Sequence, residues 1–326
     1  MRRKRRMLIV TVTAAVFVFF LSRNASCLPG SASTPAFRTI QNGGAHSLEG
    51  QIPVDTTETH SSTVKFDEST FLHGQNADNK TKKYDPAPFA THTYFGRSVR
   101  VADSGKAHVQ QVLAEIQDGR IYDAALSAVS GQSGAEKTVI DIGGNFGAFS
   151  MAVKINAPSV RLFTFEAIPT NCANLQANMR GNALDADWTF SCEALGSDDG
   201  ETLTFSVDVE HSGGGSSAYN KPKNHPSLLD GRHQFFNVAS SKLDTILDRY
   251  DIKHIDALKI DCEGCEYAVL KSSRRIKEID IIVAEFHINS HLRRQGHTFE
   301  NLKGFLREQN PNIIIHSVDI HMHEAR

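Results

Sequence analysis

The chain has 326 residues, of which 40% are hydrophobic and 22% charged, and its formal net charge is −2. This composition excludes a fibrous protein, a coiled coil and a wholly disordered chain, and the nearly balanced charge gives no general attraction to nucleic acid. Five cysteines are too few for a disulfide scaffold, and a single C-x-x-C pair cannot supply four thiolates to a structural zinc ion.

The N-terminus has the pattern of a membrane-targeting segment. Five basic residues in MRRKRR precede the uncharged run MLIVTVTAAVFVFFL, which ends at Leu21. Basic residues stay on the cytosolic side, so we expect residues 1–22 to be a cytosolic tail and signal anchor that leaves the rest of the chain luminal. This predicts a single-pass type II membrane protein of the secretory pathway (ER or Golgi). A cleaved signal peptide and a secreted product is the alternative.

Residues 23–90 are rich in Ser, Thr, Gly, Asn and Pro and lack a sustained apolar period. Such a segment cannot bury a core, so we interpret it as a flexible stem. The remaining residues, 91–326, are predicted to form the folded domain. Within it, residues 91–134 have the pattern of helices packed over the first strand of a sheet.

From residue 138 onward, short apolar strands alternate with helical patterns, which is typical of a parallel α/β sheet. The predicted strands are TVIDIG (138–143), VRLFTFE (160–166), DWTFSCEAL (187–195), IDALKID (255–261), IDIIVAEFHI (279–288) and PNIIIHSV (311–318). The predicted helices are GAFSMAVKIN (147–156), PTNCANLQANMRGN (169–182), SKLDTILDRY (241–250, capped by Ser240 or Ser241) and TFENLKGFLREQN (298–310). A further alternating pair, ETLTFSVDV (201–209) and HQFFNVASS (233–241), flanks a glycine-rich loop.

Ligands of open α/β sheets bind beyond the carboxyl ends of the strands. The residues at those ends are Asp141, Gly143, Asn145 and Gly147 after the first strand, Glu166 after the second, Glu193 and Ala194 after the third, Asp261 and Glu263 after the fourth, and Glu285 and His287 on the fifth. A glycine-rich turn with an acid on the next strand suits either a nicotinamide dinucleotide or S-adenosylmethionine. Asn145 stands where the dinucleotide pattern needs a glycine beside the pyrophosphate, so the turn favours S-adenosylmethionine.

The chain also resembles the FkbM-type methyltransferases over about residues 135–290. The resemblance is carried by VIDIGGNFGAFS, FTFEAIPTNCANLQANM, EALGSDDGETLTFSV, GGGSS, KLDTIL, IDALKIDCEGCEYAVLK and IIVAEFH. It implies a class I methyltransferase (Rossmann-like) fold, a mostly parallel sheet with helices on both faces. It also implies S-adenosylmethionine as the methyl donor and O-methylation of a hydroxyl on a glycan, a glycoconjugate or a small metabolite. Little sequence remains after residue 318 for the seventh strand usual in this fold.

By position, the resemblance assigns Asp141, Gly143, Asn145 and Gly147 to the donor loop and Glu166 to the ribose. It assigns Glu193 and Ala194 to the surroundings of the adenine. A hydroxyl acceptor benefits from a general base, and Asp261, Glu263 and His287 are the candidate catalytic residues. Glu266 and Glu285 are further acids near the same strand ends.

Other interpretations remain open. The domain could be a non-catalytic binding module on the same fold, or a nicotinamide or nucleotide-sugar oxidoreductase. His287 and His291 could contribute to a metal site, but their spacing matches no known ligand motif, so no metal is expected. We expect all four domain cysteines to be packing residues, with a disulfide between Cys262 and Cys265 as the alternative. The GGGSS loop is expected to form a flap on the acceptor side.

Overall fold

Six parallel strands form the central sheet of the protein, seen here in a computed structural model that describes residues 84–102, 108–119, 121–130, 136–208 and 233–322. The sheet order is β11 (Ile314–Met322), β10 (Ile279–Asn289), β9 (Ile255–Ile260), β3 (Thr138–Ile142), β4 (Arg161–Phe165) and β5 (Trp188–Ser191). Every neighbouring pair is parallel. Because β3 and β9 lie side by side at the centre, the turn after each of them opens at the same edge of the sheet.

Helices cover both faces of this sheet. They are α1 (His108–Gln117), α2 (Tyr122–Val129), α3 (Ala148–Asn156), α4 (Pro169–Gly181), α5 (Leu243–Arg249), α6 (Glu266–Ser272), α7 (Ser290–Arg294) and α8 (Phe299–Gln309), with a short 3-10 helix at Ile276–Glu278. Successive side chains of β3 point to opposite faces. Val139 therefore joins the apolar core beneath α1 to α4, and Ile140 joins the core beneath α5, α6 and α8. The predicted α/β fold with helices on both faces is confirmed.

Two smaller sheets lie outside the central one. In one of them, β8 (His233–Ser241) pairs in antiparallel fashion with β7 (Thr202–Asp208) and in parallel with the short β6 (Ala194–Leu195). The other is a hairpin of β1 (Phe89–Tyr94) and β2 (Arg97–Ala102). The pairing of the two alternating segments was predicted correctly.

Several local predictions differ from the structure. The predicted strand 187–195 divides into β5 and β6, which belong to different sheets. The expected helical layer over residues 91–134 begins with the β1–β2 hairpin, and within its described residues the helices are α1 and α2. Helix α5 has Lys242 at its N-cap without a side-chain hydrogen bond, because Ser240 and Ser241 belong to β8.

The last strand, β11, lies parallel to β10 at the edge of the sheet. Among the described residues, no further strand is inserted between β10 and β11.

The predicted signal anchor, nearly all of the predicted stem and the GGGSS loop lie outside the described residues. Among the helices that are described, none combines the length and the apolar character needed to cross a membrane. The division into anchor, stem and domain stays a prediction.

Candidate active site

The turn between β3 and α3 brings the ends of three strands together. Gly143 and Gly144 donate their backbone N–H groups to the carbonyl of Phe165 at 2.9 and 3.0 Å, which ties the turn to β4. A Cβ on Gly143 would lie 1.8 Å from the carbonyl oxygen of Asp261, and its φ of +78° favours glycine. The close contact between this turn and the end of β9 therefore requires a glycine at 143.

Glu166 follows β4 and is buried against the same turn. Its Oε2 accepts the N–H of Asn145 at 2.7 Å, and its Oε1 accepts the N–H of Ile168 at 2.7 Å. Burial raises the pKa of Glu166, although these hydrogen bonds oppose the shift. Because a carboxylate has about four lone-pair sites, Glu166 keeps accepting capacity for a ligand.

Glu193 and Ala194 lie on the far side of the same opening, as predicted. Both oxygens of Glu193 are already engaged, by Ser191 and Ser241 hydroxyls at 2.6 and 2.7 Å and by Arg249 at 2.7 Å. This network joins β5, β8 and α5. Glu193 therefore shapes the wall, and Ala194 offers a small apolar surface beside it.

These groups surround one cavity at the carboxyl ends of the strands. Its volume, including space open to solvent, is about 640 Å³, within the roughly 300–1,000 Å³ of small-molecule sites. It is lined by Ile142, Gly143, Asn145, Phe165, Glu166, Ala167, Ile168, Asn171, Glu193, Ala194, Leu195, Phe205, Asp261, Cys262, Glu263 and Cys265. Most of the predicted donor residues thus meet at one place.

Two predicted donor residues do not line this cavity. Asp141 is 0% exposed; its Oδ2 accepts the hydroxyl of Ser150 at 2.7 Å, and its Oδ1 lies 3.2 Å from Nζ of Lys259. Gly147 begins α3 with φ +89° and packs against Leu175. Both shape the loop from behind instead of facing a ligand.

Lys259 is the buried cation that holds the strand ends together. Besides Asp141, its ammonium donates to the carbonyl of Gly143 at 2.6 Å and lies 3.9 Å from Asp261. Burial alone would lower the pKa of Lys259, but Asp141 and Asp261 outweigh burial and raise it. The ammonium therefore stays charged between the donor turn and β9.

Two of the predicted catalytic residues, Asp261 and Glu263, line the cavity, and His287 is buried beside them. Nδ1 of His287 lies 3.3 Å from Oε1 of Glu266 and 3.8 Å from Oδ1 of Asp261. Its other ring nitrogen, Nε2, lies 3.6 Å from Oε2 of Glu263. Partial burial is the main reason why the pKa of Asp261 rises to about 7; Glu285 and Glu263 add to the shift, while Lys259 and His287 oppose it.

His287 is charged in this arrangement. Burial alone would lower its pKa, but the hydrogen bond and charge of Glu266, with Glu263 and Asp261, outweigh burial and raise the pKa to about 10. His287 lies within β10, as predicted, and the strand continues to Asn289. The structure brings the three predicted catalytic residues together.

Tyr122 makes a contact with the acids near the site that sequence reasoning missed. Its hydroxyl donates to Oε1 of Glu285 at 2.9 Å, from α2 across to β10. Burial, with the negative charges of Asp261 and Glu285, raises the pKa of Tyr122, so the hydroxyl remains a donor. A tyrosine on the apolar face of a helix looks like an ordinary core residue, so the sequence carries no signal for this contact.

The four domain cysteines form two disulfides, Cys172–Cys192 and Cys262–Cys265. The expectation that they are packing residues was therefore wrong, and the alternative for Cys262 and Cys265 is the one observed. The first disulfide joins α4 to the segment after β5. The second closes the turn that carries Glu263, in the cavity wall.

A fully parallel sheet with a glycine-rich first turn and a buried acid after the second strand defines a Rossmann-like α/β protein with its ligand site at the strand ends. The model of the Methyltransferase FkbM domain family matches residues 141–312, just over half of the chain. The chain belongs to this family and is a methyltransferase, which confirms the resemblance of its motifs.

A curated relative and two solved structures are similar to parts of the chain. Methyltransferase 1 of Beauveria bassiana (strain ARSEF 2860) is 26% identical over 186 residues, which are 53% of this chain and 71% of that protein. The precorrin-6y C5,15-methyltransferase of Geobacter metallireducens GS-15 matches with TM-score 0.30 and 14% identity over 52% of this chain and 61% of its own. M. jannaschii TYW2 in complex with AdoMet matches with TM-score 0.24 and 18% identity, over 33% of this chain and 44% of its own. The chain therefore spans less than two thirds of either solved structure.

Proposed function

We propose that this protein is an S-adenosylmethionine-dependent O-methyltransferase that acts on a hydroxyl of a glycan, a glycoconjugate or a small metabolite. The observation that carries the proposal is the cavity between the glycine turn at 143, Glu166 and Asp261. Glu166 would accept a hydrogen bond from the ribose of the donor. The turn would hold the methionine end, and Ala194 with its apolar neighbours would contact the adenine.

The donor, when bound, supplies a methyl group on a positively charged sulfur. The protein then has to hold the acceptor oxygen about 3–3.5 Å from the methyl carbon and in line with the bond that breaks. The carboxylates of Asp261 and Glu263 line the cavity, so they favour the positive charge of the donor.

The donor site can be tested by calorimetry of S-adenosylhomocysteine binding to the full chain. Replacing Glu166 by Gln removes a charged hydrogen-bond acceptor, so we expect affinity to fall roughly 10- to 100-fold. Glu308→Gln, the same change at an exposed position of α8, is the matched control and should bind as the wild type does. Absence of binding to the wild type at millimolar ligand would overturn the proposal.

The acceptor class can be tested by transfer of a radiolabelled methyl group to neutral, phosphorylated and acidic sugars. A methyl ether survives mild alkali, whereas a methyl ester is hydrolysed. Label in an alkali-stable product supports O-methylation of a hydroxyl. Binding of the homocysteine product without transfer to any acceptor in the panel would favour the non-catalytic binding module.

We also propose that the domain works in the lumen of the secretory pathway as part of a type II membrane protein. The basic N-terminus followed by an apolar run supports this topology. The two disulfides support an oxidising compartment, since such bonds are rare in the cytosol. Protease treatment of sealed vesicles should leave the domain intact; digestion without detergent would contradict the topology.

A further inference from the structure

Three neighbouring side chains, two of which line the cavity, are spaced like the ligands of one metal ion. One ligand atom each from Asp261, Glu263 and His287 lies within 4.8 Å of the others. Nε2 of His287 lies 3.6 Å from Oε2 of Glu263, whereas the 3.8 Å contact of the ring with Asp261 is made by Nδ1. Two atoms bound at about 2.2 Å on opposite sides of an ion lie at most roughly 4.4 Å apart, so the distance from Nε2 to Glu263 fits a shared cation.

The orientation of His287 is a second and independent observation. Its side chain is 6% exposed, and Nδ1 lies 3.0 Å from the backbone carbonyl of Glu285. Histidine ligands usually donate one ring N–H to a carbonyl or carboxylate, which fixes the ring and presents the other nitrogen to the metal. Here Nε2 faces Oε2 of Glu263 at 3.6 Å, which is too long for a hydrogen bond.

Glu266 holds the turn that carries Glu263. Its Oε1 accepts the backbone N–H groups of Cys262 and Gly264 at 3.0 and 3.2 Å. Its Oε2 is buried and accepts no hydrogen bond from the described residues. The Cys262–Cys265 disulfide closes the same turn. The carboxylate of Glu263 is thus held beside His287 by contacts that do not depend on a ligand.

A second histidine–carboxylate group, formed by His254, Asp256 and Asp280, lacks these features. Asp256 already accepts hydrogen bonds from Lys137 at 2.7 Å and from the N–H of Thr138 at 2.8 Å. His254 and Asp280 are both more than half exposed. This group is a pair of ordinary ion contacts.

We propose that Asp261, Glu263 and His287 bind one divalent cation, of the Mg²⁺ or Mn²⁺ class, next to the methyl acceptor. Two carboxylates and one imidazole suit these ions, and the remaining positions are open to water or to an acceptor hydroxyl. The carboxylates of Asp261 and Glu263 can be neutralised either by the bound cation or by a proton on the imidazole of His287, but not by both at once.

The role of the cation in catalysis rests on the proposed function. Bound to the acceptor hydroxyl, the cation favours loss of its proton, which is released to solvent. The oxygen then forms its bond to the methyl carbon while the carbon–sulfur bond breaks. The sulfonium becomes a neutral thioether, so charge and atoms balance.

The test is a titration of the full chain with MnCl₂ after treatment with EDTA, followed by electron paramagnetic resonance of free Mn²⁺. No donor or acceptor is present, so the result is independent of the proposed function. We expect one site in the wild type, at least 10-fold weaker binding in His287→Gln and Glu263→Gln, and no change in the matched control His254→Gln. Circular dichroism verifies that the variants are folded. Glu263→Gln keeps the test independent of folding, because its side chain is 26% exposed whereas that of His287 is 6% exposed.

Two outcomes would overturn the site: no Mn²⁺ binding by the wild type, or the same loss in His254→Gln as in His287→Gln. If Mn²⁺ binds but S-adenosylhomocysteine does not, the cation site stands and the proposed function fails. If both bind but EDTA leaves methyl transfer unchanged, the catalytic role of the cation is refuted.

Discussion

Replacing Lys259 by Met should strongly destabilise the protein, because it leaves the carboxylate of Asp141 without its cation. Asp141 is 0% exposed and has Nζ of Lys259 at 3.2 Å. Removal of one partner of a buried ion pair typically costs about 3–5 kcal/mol. For a domain of this size we expect Tm to fall by roughly 6–20 °C.

The pair can be isolated with a double-mutant cycle measured by urea unfolding. Asp141→Asn keeps the shape of the side chain, and the amide oxygen can still accept the hydrogen bond from the Ser150 hydroxyl. The double variant Asp141→Asn/Lys259→Met should therefore lose at least about 1 kcal/mol less unfolding free energy than the sum of the two single variants. Lys253→Met removes an exposed ion pair with Asp251 and is the control, with an expected cost below about 1 kcal/mol. A cost for Lys259→Met as small as that of the control, or strict additivity in the cycle, would refute the reasoning.

Two further predictions concern the disulfides and Tyr122. Loss of the Cys172–Cys192 disulfide, whose cysteines are 20 residues apart, should lower the free energy of unfolding by about 3 kcal/mol, because the unfolded chain gains entropy. Loss of Cys262–Cys265, whose cysteines are 3 residues apart, should lower it by less than about 2 kcal/mol. Urea unfolding of the two Cys→Ser double variants tests this order, and equal costs would contradict it. Tyr122→Phe should lower the unfolding free energy by about 1 kcal/mol and reduce kcat/KM for the acceptor without changing S-adenosylhomocysteine affinity. An equal loss of donor affinity, seen by calorimetry, would show that Tyr122 does not act on the acceptor side.

The parallel sheet could be predicted because most of its strands are short, rich in apolar residues and separated by helical patterns. Strand β9 is the clearest case, since all its residues are buried and Asp261 follows it directly. The same logic placed Glu166 beside the cavity, because the residue that follows a parallel strand lies at the carboxyl edge of the sheet.

Contacts between distant segments could not be predicted in this way. Cys172 and Cys192 are compatible with packing when each is considered in its own element, and only the fold shows that they meet. Asp141 looked like a donor residue because of its position in the motif, yet it points to Lys259 and Ser150 inside the sheet. Side-chain direction at a strand end depends on tertiary packing, which a single sequence does not encode locally.

The segment before residue 141 has a practical consequence for anyone who expresses this protein. The family match begins at 141, but Tyr94 is 0% exposed and donates to the carbonyl of Ala148, and Tyr122 reaches Glu285. A fragment cut at the start of the family match would lose both tyrosines and uncover the apolar face of the sheet beneath α1 and α2. The smallest soluble fragment should therefore begin before β1, near residue 84.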